Sequence, residues 1–136
     1  MEKQYSLDLG PMKSEKTSTF SVGAYSMQET PSLKLLYEDD DSLAYVHIVK
    51  EGDEEKYVIH SYSKTGFSKE QLAKARDVSA LIDENFKDKG VKKLYTWATS
   101  DEEQNYAEYL GYKMTGLEVQ ISGWNGPAIY ELSKEL

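Results

Sequence analysis

Ser63-Lys64-Thr65-Gly66-Phe67-Ser68 is the stretch on which the fold turns. It follows a strand-like run, Tyr57 to Tyr62, and precedes a long helical pattern that starts at Ser68. Gly66 lets the backbone approach a ligand closely, and the first N–H groups of the helix face outward at the positive end of its dipole. The spacing S-x-x-G-x-S therefore suits a pyrophosphate, with Lys64 and Lys69 close enough to add charge. An ordinary strand-to-helix turn with a good cap reads the same way, so the loop alone leaves both open.

Working outward, Ser68-Lys69-Glu70-Gln71 has the form of a capping box. Leu72, Ala75, Ser79, Ile82 and Phe86 recur at helical spacing, widened by Val78 and Leu81. Lys89-Gly90 supplies a cationic last turn and a glycine stop. Val91 to Ala98 reads as the next strand, and a connection of this length implies that it runs parallel to the strand before the helix. Ser100-Asp101-Glu102-Glu103 caps a second, shorter helix that ends at Gly111. Leu117, Val119 and Ile121 alternate in a following strand, Gly123 to Pro127 turns the chain, and Ala128 to Leu132 returns antiparallel.

Upstream, Leu43 to Val49 and Tyr57 to Tyr62 form a hairpin about the turn Glu51 to Glu55. Both faces are partly apolar, as in a sheet covered on two sides. Ser32 to Glu38 is a short apolar segment, followed by the acidic turn Asp39-Asp40-Asp41, read as solvated. Residues 1–33 are the least legible: Tyr5 to Leu9 alternates weakly, and Thr17 to Val22 reads as a strand broken at Gly23. The expectation is one α/β (α+β) domain over residues 1–136, with a mixed central sheet flanked by helices and a C-terminal β-hairpin.

Composition narrows the chemistry. The 136 residues contain no cysteine, which excludes disulfides, thiolate catalysis and thiolate metal sites. A formal net charge of −8 argues against unaided binding to nucleic acid or anionic membranes. No signal peptide or membrane span is evident, so a soluble cytoplasmic protein is expected. Two histidines and scattered carboxylates form no convincing metal constellation, so no metal is expected.

From the hairpin onward, residues 43–136 resemble the GNAT superfamily of acyl-CoA-dependent N-acyltransferases. The residues that carry the likeness are Gly66, on the central glycine of an Arg/Gln-x-x-Gly-x-Gly/Ala loop, then Leu72, the run Gly90 to Trp97, and Tyr106-Ala107-Glu108-Tyr109-Leu110-Gly111-Tyr112. The resemblance implies acetyl-CoA as co-substrate, held by Ser63, Lys64, Thr65, Gly66, Phe67 and Ser68, with Ser100 in the place of the family's asparagine. It also implies acyl transfer to an amine on a small molecule or a protein. Departures are Ser63 where the family has Arg or Gln, Ser68 where it has little side chain, and Ala107 where it has the general-acid tyrosine. Tyr106 is adjacent, one residue or about 100° around the helix, and is the candidate acid.

An amine with a pKa near 10.4 must lose a proton before it attacks, and His60, on the strand leading into the loop, is the candidate base. His47 lies on the paired strand. Two functional readings stand side by side: an acyl-CoA-dependent N-acyltransferase, and a non-catalytic protein that uses the same scaffold as an assembly component or an inhibitor. Exposed sheet edges leave room for a homodimer.

Overall fold

The computed structural model describes residues 19–22, 25–28, 33–63, 68–120 and 125–136. Among them, six strands form one mixed sheet: β3 (Leu33–Glu38), β4 (Ser42–Glu51), β5 (Glu54–Ser63), β6 (Lys93–Ala98), β7 (Lys113–Val119) and β8 (Ile129–Glu135). Their order across the sheet is β3-β4-β5-β6-β8-β7. Two short strands, β1 (Thr19–Val22) and β2 (Tyr25–Gln28), pair antiparallel as a separate hairpin. The helices are α1 (Lys69–Asp88) between β5 and β6, and α2 (Asp101–Tyr109) between β6 and β7. No described helix is long and apolar enough to cross a membrane.

The β4–β5 hairpin is the frame. Its two-residue turn at Gly52 and Asp53 makes Glu51 and Glu54 the closing pair, and pairing then continues without interruption to Ser42 and Ser63. Hydrogen-bonded and non-bonded pairs alternate along an antiparallel ladder, so the odd-numbered residues of β5 turn their backbone groups away from β4 and toward β6. That alternation positions the site described below.

Helical periodicity and strand alternation bring their apolar positions to one core. Val78, Ile82 and Phe86 of α1 and Ala107 of α2 pack on Ala44, Val46, Ile59, Leu94, Ala98 and Leu132 of the sheet. On the opposite face Val58, Trp97 and Ile129 form a second cluster, and Leu33 and Tyr45 a third. Of the expected helix stripe, Leu72, Ala75, Ser79 and Leu81 are only half-buried.

Both helices end by one device. Gly90 takes φ +85° and Gly111 φ +100°, the left-handed conformation a side chain resists. At the end of α1, Gly90 N–H donates to the Lys87 carbonyl and Val91 N–H to that of Phe86. At the end of α2, Gly111 N–H donates to Glu108 and Tyr112 N–H to Ala107. The Leu-Gly-Tyr signature is thus a Schellman stop that drops Tyr112 into the core. A Cβ on Gly111 would also meet the Lys134 side chain at 3.2 Å.

Three details differ from the sequence reading. The acidic turn after β3 is anchored rather than merely solvated. Asp39 Oδ1 accepts from the amides of Asp41 and Ser42, both at 2.8 Å, Asp39 Oδ2 accepts from the Tyr37 hydroxyl, and Lys74 of α1 pairs with both Asp39 and Asp41. Burial alone would raise the Asp39 carboxyl, but these hydrogen bonds together hold it well below the usual carboxylate range. Next, the strand expected around Leu117 to Ile121 begins at Lys113 and carries a register shift between Met114 and Glu118, which leaves Leu117 56% exposed. The return strand runs on to Glu135. Finally, Tyr25–Gln28 is a strand that the alternation did not reveal; Tyr5 to Leu9, Ile121 and the start of the turn at Gly123 lie outside the described residues.

Candidate functional site

β5 and β6 run parallel and share the register pair Val58–Tyr95. One step on, the Ile59 carbonyl accepts from the Thr96 hydroxyl at 2.7 Å, a side chain standing where the next ladder bond would be. Beyond it no further ladder pair joins the two strands, and the alternation set by the hairpin points the backbone of Ser61 into the space between them. A cavity of about 60 Å³ occupies this region. Its walls are the ends of β5 and β6, the α1 face carrying Gln71, Ala75 and Val78, and the α2 face carrying Glu103, Tyr106 and Ala107.

The two helix starts are organised by serines. Ser68 Oγ accepts from Gln71 N–H at 3.2 Å, an N-cap as expected. The reciprocal half of the capping box is not made: Gln71 Oε1 is buried with no hydrogen-bond partner among the described residues, and Gln71 lines the cavity instead. Ser100 Oγ accepts from Glu103 N–H at 3.2 Å. Glu103 reaches back one residue further than a capping box requires, its Oε1 accepting from both the amide and the hydroxyl of Thr99 at 3.0 Å.

The structure brings four of the expected site residues into one region and leaves the rest undescribed or at its margins. Ser63 ends β5 and lines the cavity, as do His60 and Tyr106. Ser68 stands at the adjoining start of α1, its hydroxyl serving as the cap. Ser100 caps α2 and is not among the cavity-lining residues. Lys64, Thr65, Gly66 and Phe67 lie outside the described residues. Sequence reasoning missed Ser61, Gln71, Thr96, Trp97 and Glu103 as cavity residues. For Gln71 and Glu103 the signal was present but was spent on capping.

Tyr106 and Ala107 both face the cavity. Ala107 is buried in the main core, whereas the Tyr106 hydroxyl reaches across to β5 and hydrogen-bonds with Ser61. Burial pushes the Tyr106 hydroxyl up from its ordinary value, the Ser61 bond pulls it back, and nearby Tyr109 adds to the rise. Tyr106 therefore holds its proton throughout the physiological range.

His60 is 3% exposed. Its ring lies 5.2 Å from Trp97, edge to face, and 5.7 Å from His47. Burial, and then the charge of His47, push His60 down to about 3; burial also lowers His47, whose Nδ1 has no hydrogen-bond partner among the described residues. A base that weak lies far from the near-neutral optimum for general-base catalysis.

The same shift has a consequence for stability. A histidine whose folded pKa is depressed binds its proton more readily when unfolded, so stability is fully present above about pH 6.5 and is lost as pH falls toward 3. The slope is about 1.4 kcal/mol per pH unit, so urea unfolding should lose about 2 kcal/mol between pH 6.5 and pH 5. His60→Gln should flatten most of that slope. An unchanged urea midpoint in the wild type over this interval would show that His60 is not buried as a neutral ring.

Among the described residues, no group of three or more His, Asp or Glu side chains is placed to hold a metal ion. No protein-family model matches the sequence, and no curated protein does. Solved structures do match. An N-acetyltransferase from Staphylococcus aureus Mu50 superposes with a TM-score of 0.54 at 16% identity, over 76% of this chain and 66% of that one. An acetyltransferase from Bacillus subtilis in complex with CoA aligns with 76% of this chain and 97% of its own, at 11% identity and a TM-score of 0.45. The first of these likenesses establishes architecture: over 76% of its length this chain shares the fold of that N-acetyltransferase. It spans 66% of the length of the Staphylococcus aureus protein.

Proposed function

We propose that this protein is an acyl-CoA-dependent N-acyltransferase that holds its thioester between β5 and β6. The observation that carries the reading is the end of ladder pairing past Val58 and Tyr95, which leaves the β5 backbone groups facing β6 unpaired by the ladder beside a cavity at the start of α1. A thioester carbonyl placed there would meet the Ser61 amide, a fixed dipole able to stabilise the developing oxyanion. The residues fit a pantetheine amide as well, because Gln71 Oε1 is a buried acceptor with no donor among the described residues. Ser63 to Ser68, with the N–H groups of the first turn of α1, would take the pyrophosphate.

In the reaction the neutral amine nitrogen attacks the thioester carbonyl, so that a C–N bond forms and the C–S bond breaks. Tyr106 donates its proton to the departing thiolate, and the proton released by the amine passes to water and returns to the phenolate. His60, whose ring packs on Trp97 at the sheet face opposite α1 and α2, is too weak a base to act, which leaves proton removal to solvent.

A second reading rests on the same scaffold: Ala107, at the place of the resembled family's general-acid tyrosine, is buried in the core, which suits a binding or assembly component. Thermal unfolding with acetyl-CoA tests the first reading: ligand at about 100 times its dissociation constant should add about 2.7 kcal/mol. No shift at millimolar acetyl-CoA would remove it, and a shift without turnover on an amine panel would select a CoA-binding but non-catalytic protein.

A further inference from the structure

We infer that Glu103 selects the acceptor, and that the acceptor is a cationic amine lacking a carboxylate. The inference rests on the acyltransfer reading above and specifies its second substrate. Among the described cavity-lining residues Glu103 is the one formally charged side chain; the others are apolar, hydroxyl, amide or aromatic, with His60 neutral at physiological pH. Its position is fixed: it lies on the first turn of α2, with Thr99 donating to it from both amide and hydroxyl. A carboxylate has about four acceptor sites, so these bonds leave capacity for an ammonium donor.

The surroundings suit the same partner. Tyr106, on the same helix, lines the cavity with Glu103, and an ammonium gains from an aromatic face as well as from a carboxylate. No Lys or Arg stands among the described lining residues, so among them a free amino acid's carboxylate finds no cation to pair it and meets Glu103 as a like charge. The net charge of −8 draws cations toward the whole protein.

Glu103→Gln separates this role from helix capping, because glutamine serves at the same capping position. The probes are n-butylammonium, 1-butanol and butyrate, matched in chain length, titrated at pH 7 while the amides of Thr99, Glu103 and Tyr106 are followed by NMR. Butylammonium should shift these amides saturably, and butanol and butyrate should bind at least about tenfold more weakly. Glu103→Gln should weaken butylammonium by about tenfold and bring it level with butanol, with its thermal midpoint within about 2 °C of wild type. Equal binding of butylammonium and butanol to the wild type, or undiminished butylammonium binding by Glu103→Gln, would overturn the inference. The acetyl-CoA titration judges the acyltransfer reading separately, so loss of one result leaves the other interpretable.

Discussion

Replacing Phe86 by alanine should lower the free energy of unfolding by about 3–5 kcal/mol. Phe86 is 2% exposed and lies where α1, β5 and the start of β6 converge. Its ring stands 5.4 Å from that of Tyr57, and its carbonyl accepts the Val91 amide that closes the helix. Deleting the ring removes its burial and leaves a cavity that a sheet on one side and a helix on the other cannot collapse to fill. Domains of this size are stable by about 5–15 kcal/mol, so the loss is a large part of the total. Ile82→Val, one turn away in the same stripe, removes a single methylene and should cost about 1 kcal/mol. Urea denaturation of both variants checks the contrast; a Phe86→Ala loss no larger than that of Ile82→Val would mean that α1 is not seated on this core.

Tyr106→Phe should lower the rate of acyl transfer by about a hundredfold while leaving the affinity for acetyl-CoA within about threefold. The hydroxyl is the only part removed, so the ring continues to fill the space between α2 and β5. What is lost is the bond with Ser61 and a proton that burial holds in place. If Tyr106 supplies that proton to the leaving thiolate, the defect appears in turnover at saturating substrate and grows as the leaving group becomes more basic. Thioesters of more acidic thiols should therefore regain much of the rate. A variant equal to wild type with every thioester would place the acid elsewhere. Ala107 is not a rival: it has no ionisable group and is buried in the core.

How far the sequence carried the account depended on the range of the interactions involved. The hairpin, both helices and their stops were legible because alternation, N-caps and glycines at the C′ position act over a few residues. Ser68 and Ser100 do cap the helices they precede, and Gly90 and Gly111 do end them. The parallel pairing of β5 and β6 followed from the length of the connection.

What escaped depends on partners distant in sequence. Asp39 and Asp41 read as solvated because nothing nearby announces Lys74, about two turns into α1. Leu117 was read as part of an apolar alternation with Val119 and Ile121, but the register shift between Met114 and Glu118 breaks the period and exposes it. Ser61, Thr96 and Trp97 gained their place at the cavity from the point where ladder pairing between two strands ends, which no local pattern encodes. Glu103 was legible as a charge on the first turn of a helix, and only the packing of α2 beside β6 makes it a wall of the site.

The central claim is that the space between the ends of β5 and β6 receives the thioester, and amide hydrogen exchange with and without acetyl-CoA tests it most directly. The account predicts slowed exchange for residues 59–63 and for the first turn of α1, with β7 and β8 unchanged. Exchange in residues 59–63 that is identical with and without millimolar acetyl-CoA, or protection appearing only elsewhere in the sheet, would contradict it.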